Sequence, residues 1–281
     1  MAIQNFSYKS PNGINYHHDF IDPSPKAHPY YKAESHRTIE LLFVLDGTMY
    51  YSIDGAQFTV NKGDLIIINA GEFHASRASH KTVCERLNLH FSPNFLPVLK
   101  NDLISSFTKT NLYQHVLPKE FISKTKILST LKKIESISRQ TDKYKDLRII
   151  SLIQILIAEI NTVIDELLLK KYHYITPPIA TNEVFQLAID YINKHIQENL
   201  TPPIISKYLG VSESYLHRLF KRHMGISIHQ YIQNQKMQLA LSLLRKGHAA
   251  QNVAAMLGYE YYTTFFAQFK RVFGRSPNKL K

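Results

Sequence analysis

The 281-residue chain holds one cysteine, Cys84. One thiol cannot build a disulfide framework, a cysteine-based zinc finger or chemistry that needs several reactive cysteines. Cys84 stands in a strand-like stretch and reads as a small core residue. Long apolar runs are also missing. The longest, Ile149 to Ile164, is broken by Ser151, Gln154, Glu159 and Asn161, which makes it too short and too polar to span a bilayer. Met1 to Phe20 is mixed and polar, without a basic-then-apolar leader. The expectation is a cytoplasmic protein with no membrane partner. Acidic residues are scarce beside basic ones, 22 against 34, for a formal net charge of +12. The imbalance is local. Residues 181–281 carry 13 Lys and Arg against 5 Asp and Glu, while residues 1–180 carry 21 against 17. A basic C-terminal third suits phosphate neutralisation, and charge alone suits a solubilising surface as well. The rest is ordinary: 44% apolar and 20% charged residues, in a chain long enough for two domains with their own cores.

The same C-terminal third contains a repeated plan. Thr201 to Arg222 and Ala249 to Arg271 each read as a short apolar helix, a turn opened by glycine (Gly210, Gly258), and a second helix ending in a basic pair. A small residue, Ser206 or Ala254, stands four positions before each glycine, so the helices can cross closely while glycine takes the positive φ of the turn. Apolar residues at helical spacing (Tyr215, Leu216, Leu219, Phe220; then Phe265, Phe269, Val272) leave the other face of each second helix free to enter a groove. Thr201 is placed to cap the first unit, with Pro202 at the first helical position. Ser227 is placed to cap a helix from Ile228 to about Lys246, ended by Gly247, that joins the two helix-turn-helix units. Ala249 stands where Ser or Thr would cap, an expected loss of about 1 kcal/mol.

At fixed spacing this stretch resembles the DNA-binding domain of AraC/XylS-type transcription regulators. The matching residues are Tyr215-Leu216-x-Arg218-Leu219-Phe220-Lys221-x-x-x-Gly225, Tyr231…Ala240…Leu243-Leu244, Ala254-x-x-Leu257-Gly258-Tyr259, and Phe265-x-x-x-Phe269-Lys270-x-x-Phe273-Gly274-x-Ser276-Pro277. The resemblance implies double-stranded DNA as partner, with two recognition helices about 34 Å apart entering successive major grooves. By the family pattern Ser214, His217, Arg218 and Lys221 face outward from the first. Arg218 is the expected reader of guanine, with a phosphate contact as its alternative. Lys221, Arg222, Lys270 and Arg271 are expected on phosphates. The second helix departs from the pattern, with Ala267 where arginine is frequent and Phe266 where a small polar residue is frequent. Tyr262, Thr263, Thr264 and Ala267 remain for methyl contact or backbone anchoring, so specificity is expected to concentrate in the first unit. The family further implies a homodimer, a contact with RNA polymerase, and activation of transcription.

Residues 1–35 read as an irregular arm with short strands. From Ile39 the pattern is β: Ile39 to Leu45, Met49 to Ile53, Phe58 to Val60, Leu65 to Ile68 and Val83 to Phe91, with hairpin signals at Asp46-Gly47 and Asp54-Gly55 and a turn at Asn61 to Asp64. Short strands with tight turns suggest a small barrel or sandwich. His36-x-x-x-Glu40, Gly47, Gly63, Gly71 and His74 resemble the two cupin motifs. Glu85-Arg86-Leu87-x-Leu89-His90-Phe91-Ser92-Pro93-x-Phe95-Leu96 resembles a segment of sensor domains in the same regulator family. The resemblance implies a pocket for a small polar effector such as a carbohydrate, with His36, Glu40, Tyr50, His74 and Arg77 as its candidates. In metal-binding cupins two histidines, a glutamate and a later histidine converge. Here Glu34 replaces the first histidine, Asn69 a usual proline and Ala78 a usual asparagine, so no metal, no cofactor and no catalytic residue is expected. A metal-dependent cupin enzyme tethered to DNA, and a regulator without an effector, stay open as alternatives.

Helices are expected over Ile127 to Ser138 and Lys145 to Tyr172. The second carries Ile149, Leu152, Ile153, Leu156, Ile160, Val163, Ile164 and Leu167, a stripe wide enough to pack on the barrel and offer a dimer seam. Burial wholly within one chain is the alternative. Residues 174–182, with Pro177-Pro178, read as a stiff linker, and Thr181 or Asn182 as the cap of a helix from Glu183 to Ile196. The expected fold is a two-domain β plus all-α chain. A cupin-like β-barrel with following helices fills 1–173 (barrel about 1–96, helices about 119–172), and an all-α double helix-turn-helix domain fills 183–281.

Overall fold

The computed structural model describes residues 5–23, 34–53, 56–92, 115–170 and 183–280. The Asp54-Gly55 hairpin, Pro93 to Leu96, residues 97–114, and the linker with Pro177-Pro178, Thr181 and Asn182 lie outside the described residues.

Strand alternation builds the N-terminal layers. The strands are β1 (Phe6–Lys9), β2 (Asn15–Ile21), β3 (Ile39–Asp46), β4 (Thr48–Ile53), β5 (Ala56–Asn61), β6 (Leu65–Ile68), β7 (His74–Ala78), β8 (Cys84–Phe91) and β9 (Val116–Leu117). They form a six-stranded antiparallel sheet, β1-β2-β8-β3-β6-β9, and a three-stranded one, β5-β4-β7. On β3 and β8, Leu41, Phe43, Leu87, Leu89 and Phe91 face one side, and Leu42, Val44 and Cys84 the other. The first side packs on two helices, α2 (Ile127–Ser138) and α3 (Lys145–Leu169), which follow the short α1 (Lys119–Ile122). The second side closes on Met49, Tyr51, Ile53, Phe58 and Val60 of the small sheet. Cys84 is fully buried in that inter-sheet core.

Three sequence expectations are refined or overturned. The arm's expected short strands include β2, which is no loose piece: its seven residues pair along their length with β8. β7, His-Ala-Ser-Arg-Ala, lacks an apolar alternation and forms by pairing with β4. By length and composition the long helix is neither too short nor too polar to cross a membrane, because an 18-residue window within Lys145–Leu167 has mean hydropathy 1.8. That apolar surface serves the helix-on-sheet core instead, with Ile149, Ile153, Leu156, Ile157, Ile160, Val163, Ile164 and Leu167 buried in it. Most of the stripe is therefore consumed within the chain, while Tyr144, Leu147, Ile155 and Leu169 stay exposed.

The C-terminal part comprises α4 (Glu183–Lys194), α5 (Pro202–Leu209), α6 (Glu213–Met224), α7 (Ile228–Arg245), α8 (Ala250–Met256) and α9 (Tyr262–Phe273). It has two cores. Phe185, Ile189, Ile205, Leu216, Phe220 and Met224 gather on the first half of α7, at Ile228, Tyr231 and Ile232. Val253, Leu257, Phe265 and Phe269 gather on its second half, at Met237, Ala240, Leu241 and Leu244. One continuous helix thus spaces the two units.

Asp64 pins the barrel to its helices. Its buried carboxylate accepts from the backbone N–H of Asn61 at 2.9 Å and of Lys119, at the start of α1, at 2.9 Å. Asp64→Ala should lower the free energy of unfolding by about 2–4 kcal/mol, since each stranded N–H costs about 1–3 kcal/mol. Urea denaturation reads this; an unchanged midpoint would mean that water replaces both bonds.

Candidate functional site

The turns and caps that aim the recognition helices are in place. Gly210 closes α5 in the left-handed region at φ 66°, and Gly258 follows α8 at φ 75°. Ser206 and Ala254 are buried where the helices cross. Ser212 accepts from Tyr215 N at the start of α6, and Ser227 with Gln230 forms a reciprocal capping box on α7. Thr201 occupies the cap position of α5, but its hydroxyl makes no capping bond, and Ala249 offers none to α8.

On α6, Leu216, Leu219 and Phe220 are buried while Ser214, His217, Arg218, Lys221 and Arg222 are exposed. Their spacing of three and four puts the exposed five on one face. The Arg218 guanidinium lies 6.0 Å from the Tyr215 ring centre. On α9, Phe265 and Phe269 are buried and Thr263, Thr264, Ala267, Lys270 and Arg271 are exposed. Tyr262 does not join them. It is half-buried, its ring packs near Phe265 and Phe266, and its buried hydroxyl has no hydrogen-bond partner among the described residues.

Sequence reasoning missed what holds α9 in place. The Tyr259 hydroxyl lies 2.8 Å from Gln233 Oε1 and 3.0 Å from Gln268 Oε1, and Gln268 Nε2 donates to Gln233 Oε1 at 2.8 Å. Lys236 donates to the Leu257 carbonyl at 2.9 Å, closing the turn after α8, and burial lowers its pKa. Gln233 and Lys236 sit on α7, more than twenty residues before their partners, where no local pattern marks them.

The second candidate site lies between the two sheets and centres on Glu40 of β3, which is 4% exposed. His36 Nε2 is 3.0 Å and His74 Nε2 3.2 Å from its Oε2. His90 Nε2 is 3.9 Å from Oε1, and Asn88 Nδ2 donates to Oε1 at 2.9 Å. Burial pushes the Glu40 pKa up, but the hydrogen bonds from His36 and His74 and the charges of His74 and His90 outweigh it, holding the carboxyl well below its usual range. His74 is depressed by burial and raised more by Glu40, for a net upward shift. Burial drives His90 down to about 4 against the pull of Glu40. At neutral pH the cluster thus holds one carboxylate and at least one neutral imidazole.

The other ring nitrogens are also held. His36 Nδ1 is 2.9 Å from the Thr38 carbonyl, His74 Nδ1 3.1 Å from the Glu72 carbonyl, and His90 Nδ1 3.4 Å from the Thr38 hydroxyl. All three Nε2 atoms therefore turn toward one carboxylate. Imidazoles plus a carboxylate, with carbonyls behind, form a donor set suited to a divalent transition ion. The ligand atoms of His36, Glu40 and His90 lie within 4.8 Å of one another.

The expected pocket is thus partly assembled. His36, Glu40 and His74 meet, while Tyr50 and Arg77 are cross-strand partners, the guanidinium 4.7 Å over the ring, on the face of the small sheet opposite the core residue Tyr51. Alternation explains the miss: Tyr51, not Tyr50, points between the sheets. There Arg86 donates to the Tyr51 hydroxyl at 3.3 Å and pairs with Asp19. Exposed Glu34 reaches only the rim, 3.9 Å from His74. Asn88 and His90 were missed as site residues; alternation along β8 gives their shared face, and only strand register sets His90 opposite Glu40.

A helix-turn-helix domain family matches residues 205–281 and a cupin domain family residues 24–89. The HTH-type transcriptional regulator YdeC of Bacillus subtilis is 24% identical over 254 residues, 88% of this chain and 84% of YdeC. The chain is a transcription regulator that joins a cupin domain to an AraC-type helix-turn-helix domain. This AraC-type regulator is also 32% identical over 101 residues to the raffinose operon transcriptional regulatory protein RafR of Pediococcus pentosaceus, spanning 36% of that protein. Among solved structures, the C-terminal domain of AraT, a response regulator from Geobacillus stearothermophilus, is 31% identical (35% of this chain, 84% of that one, TM-score 0.34). ToxT from Vibrio cholerae is 14% identical, with 98% of this chain and 96% of that one covered at a TM-score of 0.38.

Ala249 already has the extended backbone of a cap, φ −66° and ψ 138°, and lacks only a side-chain acceptor. Ala249→Ser should stabilise the second unit by about 1 kcal/mol. A higher thermal midpoint is the expected readout; no gain would show that the first N–H groups of α8 are already satisfied.

Proposed function

We propose that this AraC-type regulator reads a two-part DNA site with α6 and α9 and adjusts transcription to a small polar effector held at the Glu40 cluster. The observation that carries the DNA reading is α6 itself, with one face sealed in the core and the other presenting Ser214, His217, Arg218, Lys221 and Arg222. Arg218 reads guanine bidentately, while Lys221, Arg222 and Lys270 neutralise phosphates. Thr263, Thr264 and Ala267 give α9 little hydrogen-bonding capacity, so it anchors more than it reads. Tyr262 drops out of the contact set, and Tyr50 and Arg77 out of the effector set. Residues 1–173 serve as sensor and 183–281 as DNA-binding domain. A cytoplasmic homodimer through the exposed remainder of α3 (Leu147, Ile155) and Tyr144 just before it, with an activating contact to RNA polymerase, completes the reading. The name of RafR makes a sugar the first effector class to try. No catalytic step is assigned to the cluster.

Arg218→Ala should relax preference at one base pair by about 1–3 kcal/mol, whereas Ala267→Gly should leave base preference nearly unchanged. Competition binding across singly substituted sites measures both; a larger loss from Ala267→Gly would reverse the division of labour.

A second reading, a divalent ion in place of an organic effector, is favoured by the three Nε2 atoms turned to one carboxylate. It predicts one zinc bound per chain by calorimetry, lost in His90→Ala. If the protein takes up no zinc, the cluster reverts to an organic ligand.

A further inference from the structure

The two segments that supply the cluster also touch the DNA-binding domain with their opposite sides. His36 turns its ring to Glu40. Its neighbour Arg37 turns outward and donates from Nη2 to the Arg271 carbonyl near the end of α9, at 3.1 Å. A Cβ on Gly274, the residue closing α9, would lie 3.0 Å from Arg37 Cδ. His74 likewise turns inward, while the turn before it faces the helices. Gln238 of α7 donates to the Ala70 carbonyl at 3.2 Å, and Phe73 packs on the core of the first helix-turn-helix unit. Gly71 leaves no slack. It is buried at φ 87°, and a Cβ there would meet Gln238 Nε2 at 2.7 Å and Val272 and Phe273 at 3.1 Å. The two segments are joined to each other, because Gly71 N–H donates to the His36 carbonyl at 2.7 Å.

We propose that Arg37 and the Ala70–Phe73 turn form a clasp that converts a change at the Glu40 cluster into a change in the pose of α9 relative to α6. The inference rests on the effector reading of that cluster and adds its route of regulation. Moving the His36 or His74 ring toward a ligand moves backbone that is packed at van der Waals distance on α7 and α9, and close-packed contacts transmit such shifts rather than absorb them. The clasp leaves Thr263, Thr264, Ala267 and Lys270 exposed. It therefore acts on the tilt of α9 on α7, with the separation set by α7 kept, and not by covering the reading face. A two-part DNA site feels that tilt; its first half alone does not.

A double-mutant cycle on the full-length chain tests this. His74→Gln perturbs the cluster, and Arg37→Ala with Gln238→Ala opens the clasp. His90→Gln, which touches no clasp residue, replaces the first should His74→Gln fail to fold. Affinity is measured by anisotropy for a two-part site selected by the wild-type protein and for its first half alone. The cluster substitution should shift two-part affinity about fivefold in the wild-type background, with little shift in the open-clasp background or on the half-site. Equal shifts in both backgrounds would overturn the clasp and leave the effector site standing. No shift in either background, from either cluster variant, would overturn both.

Discussion

A carboxylate shut between two sheets is costly unless its charge is answered, and the N-terminal part of this regulator is arranged around that requirement at Glu40. Four residues answer it from different places in the chain: His36 from the segment entering β3, His74 from β7, and Asn88 and His90 from β8. Each can do so only if β3 lies between β6 and β8 and the small sheet folds over them. The polar cluster and the sheet topology therefore specify each other. Removing any one imidazole leaves the carboxylate in place with less compensation, so the site is also a constraint on how the barrel closes.

A different constraint governs the C-terminal part. Two short helix-turn-helix units cannot hold a fixed separation unless something rigid joins them. The eighteen-residue α7 does this by lending its first half to one core and its second half to the other. Its start is fixed by a reciprocal capping box, and its middle by Gln233 and Lys236, which bind the second unit's turn and recognition helix. In the first unit Ser212 caps α6, while neither helix of the second unit has a side-chain cap, and that unit leans on this polar network. The weaker local signals of the second unit go with a face, at Thr263, Thr264 and Ala267, that offers few hydrogen-bonding side chains.

Where the two parts meet, the residues are not of one kind. Gly71 belongs to the barrel's motif and Gly274 to the end of the second recognition helix, and each lies where a side chain would collide with the other domain. A glycine that a motif explains locally, by a turn, has here a second reason in tertiary space.

Much of the architecture is legible in the chain. Helical periodicity gave α2, α5, α6 and α9 close to their observed bounds, because an amphipathic helix carries its own repeat. Strands β3, β4 and β6 were legible as apolar runs between turn signals. The seven residues of β2 were not, since Asn-Tyr-His-His-Asp-Phe-Ile becomes a strand only through pairing with β8. The site divides the same way. His36, Glu40 and His74 follow from the resemblance to the cupin motifs, and the exposed positions of α6 from the family pattern. The meeting of His90 and Asn88 with Glu40, the placing of Tyr50 and Arg77 on the outer face of the small sheet and of Tyr262 against Phe265, and the consumption of the α3 stripe were decided by register and by which face a neighbour covers. Sequence by itself determined the elements, the two-domain plan and the reading helices, because these rest on short-range periodicity, capping and turn chemistry. Tertiary structure alone decided which polar residues meet and which glycines touch across domains, because those contacts join residues tens to hundreds of positions apart, and no local preference encodes them.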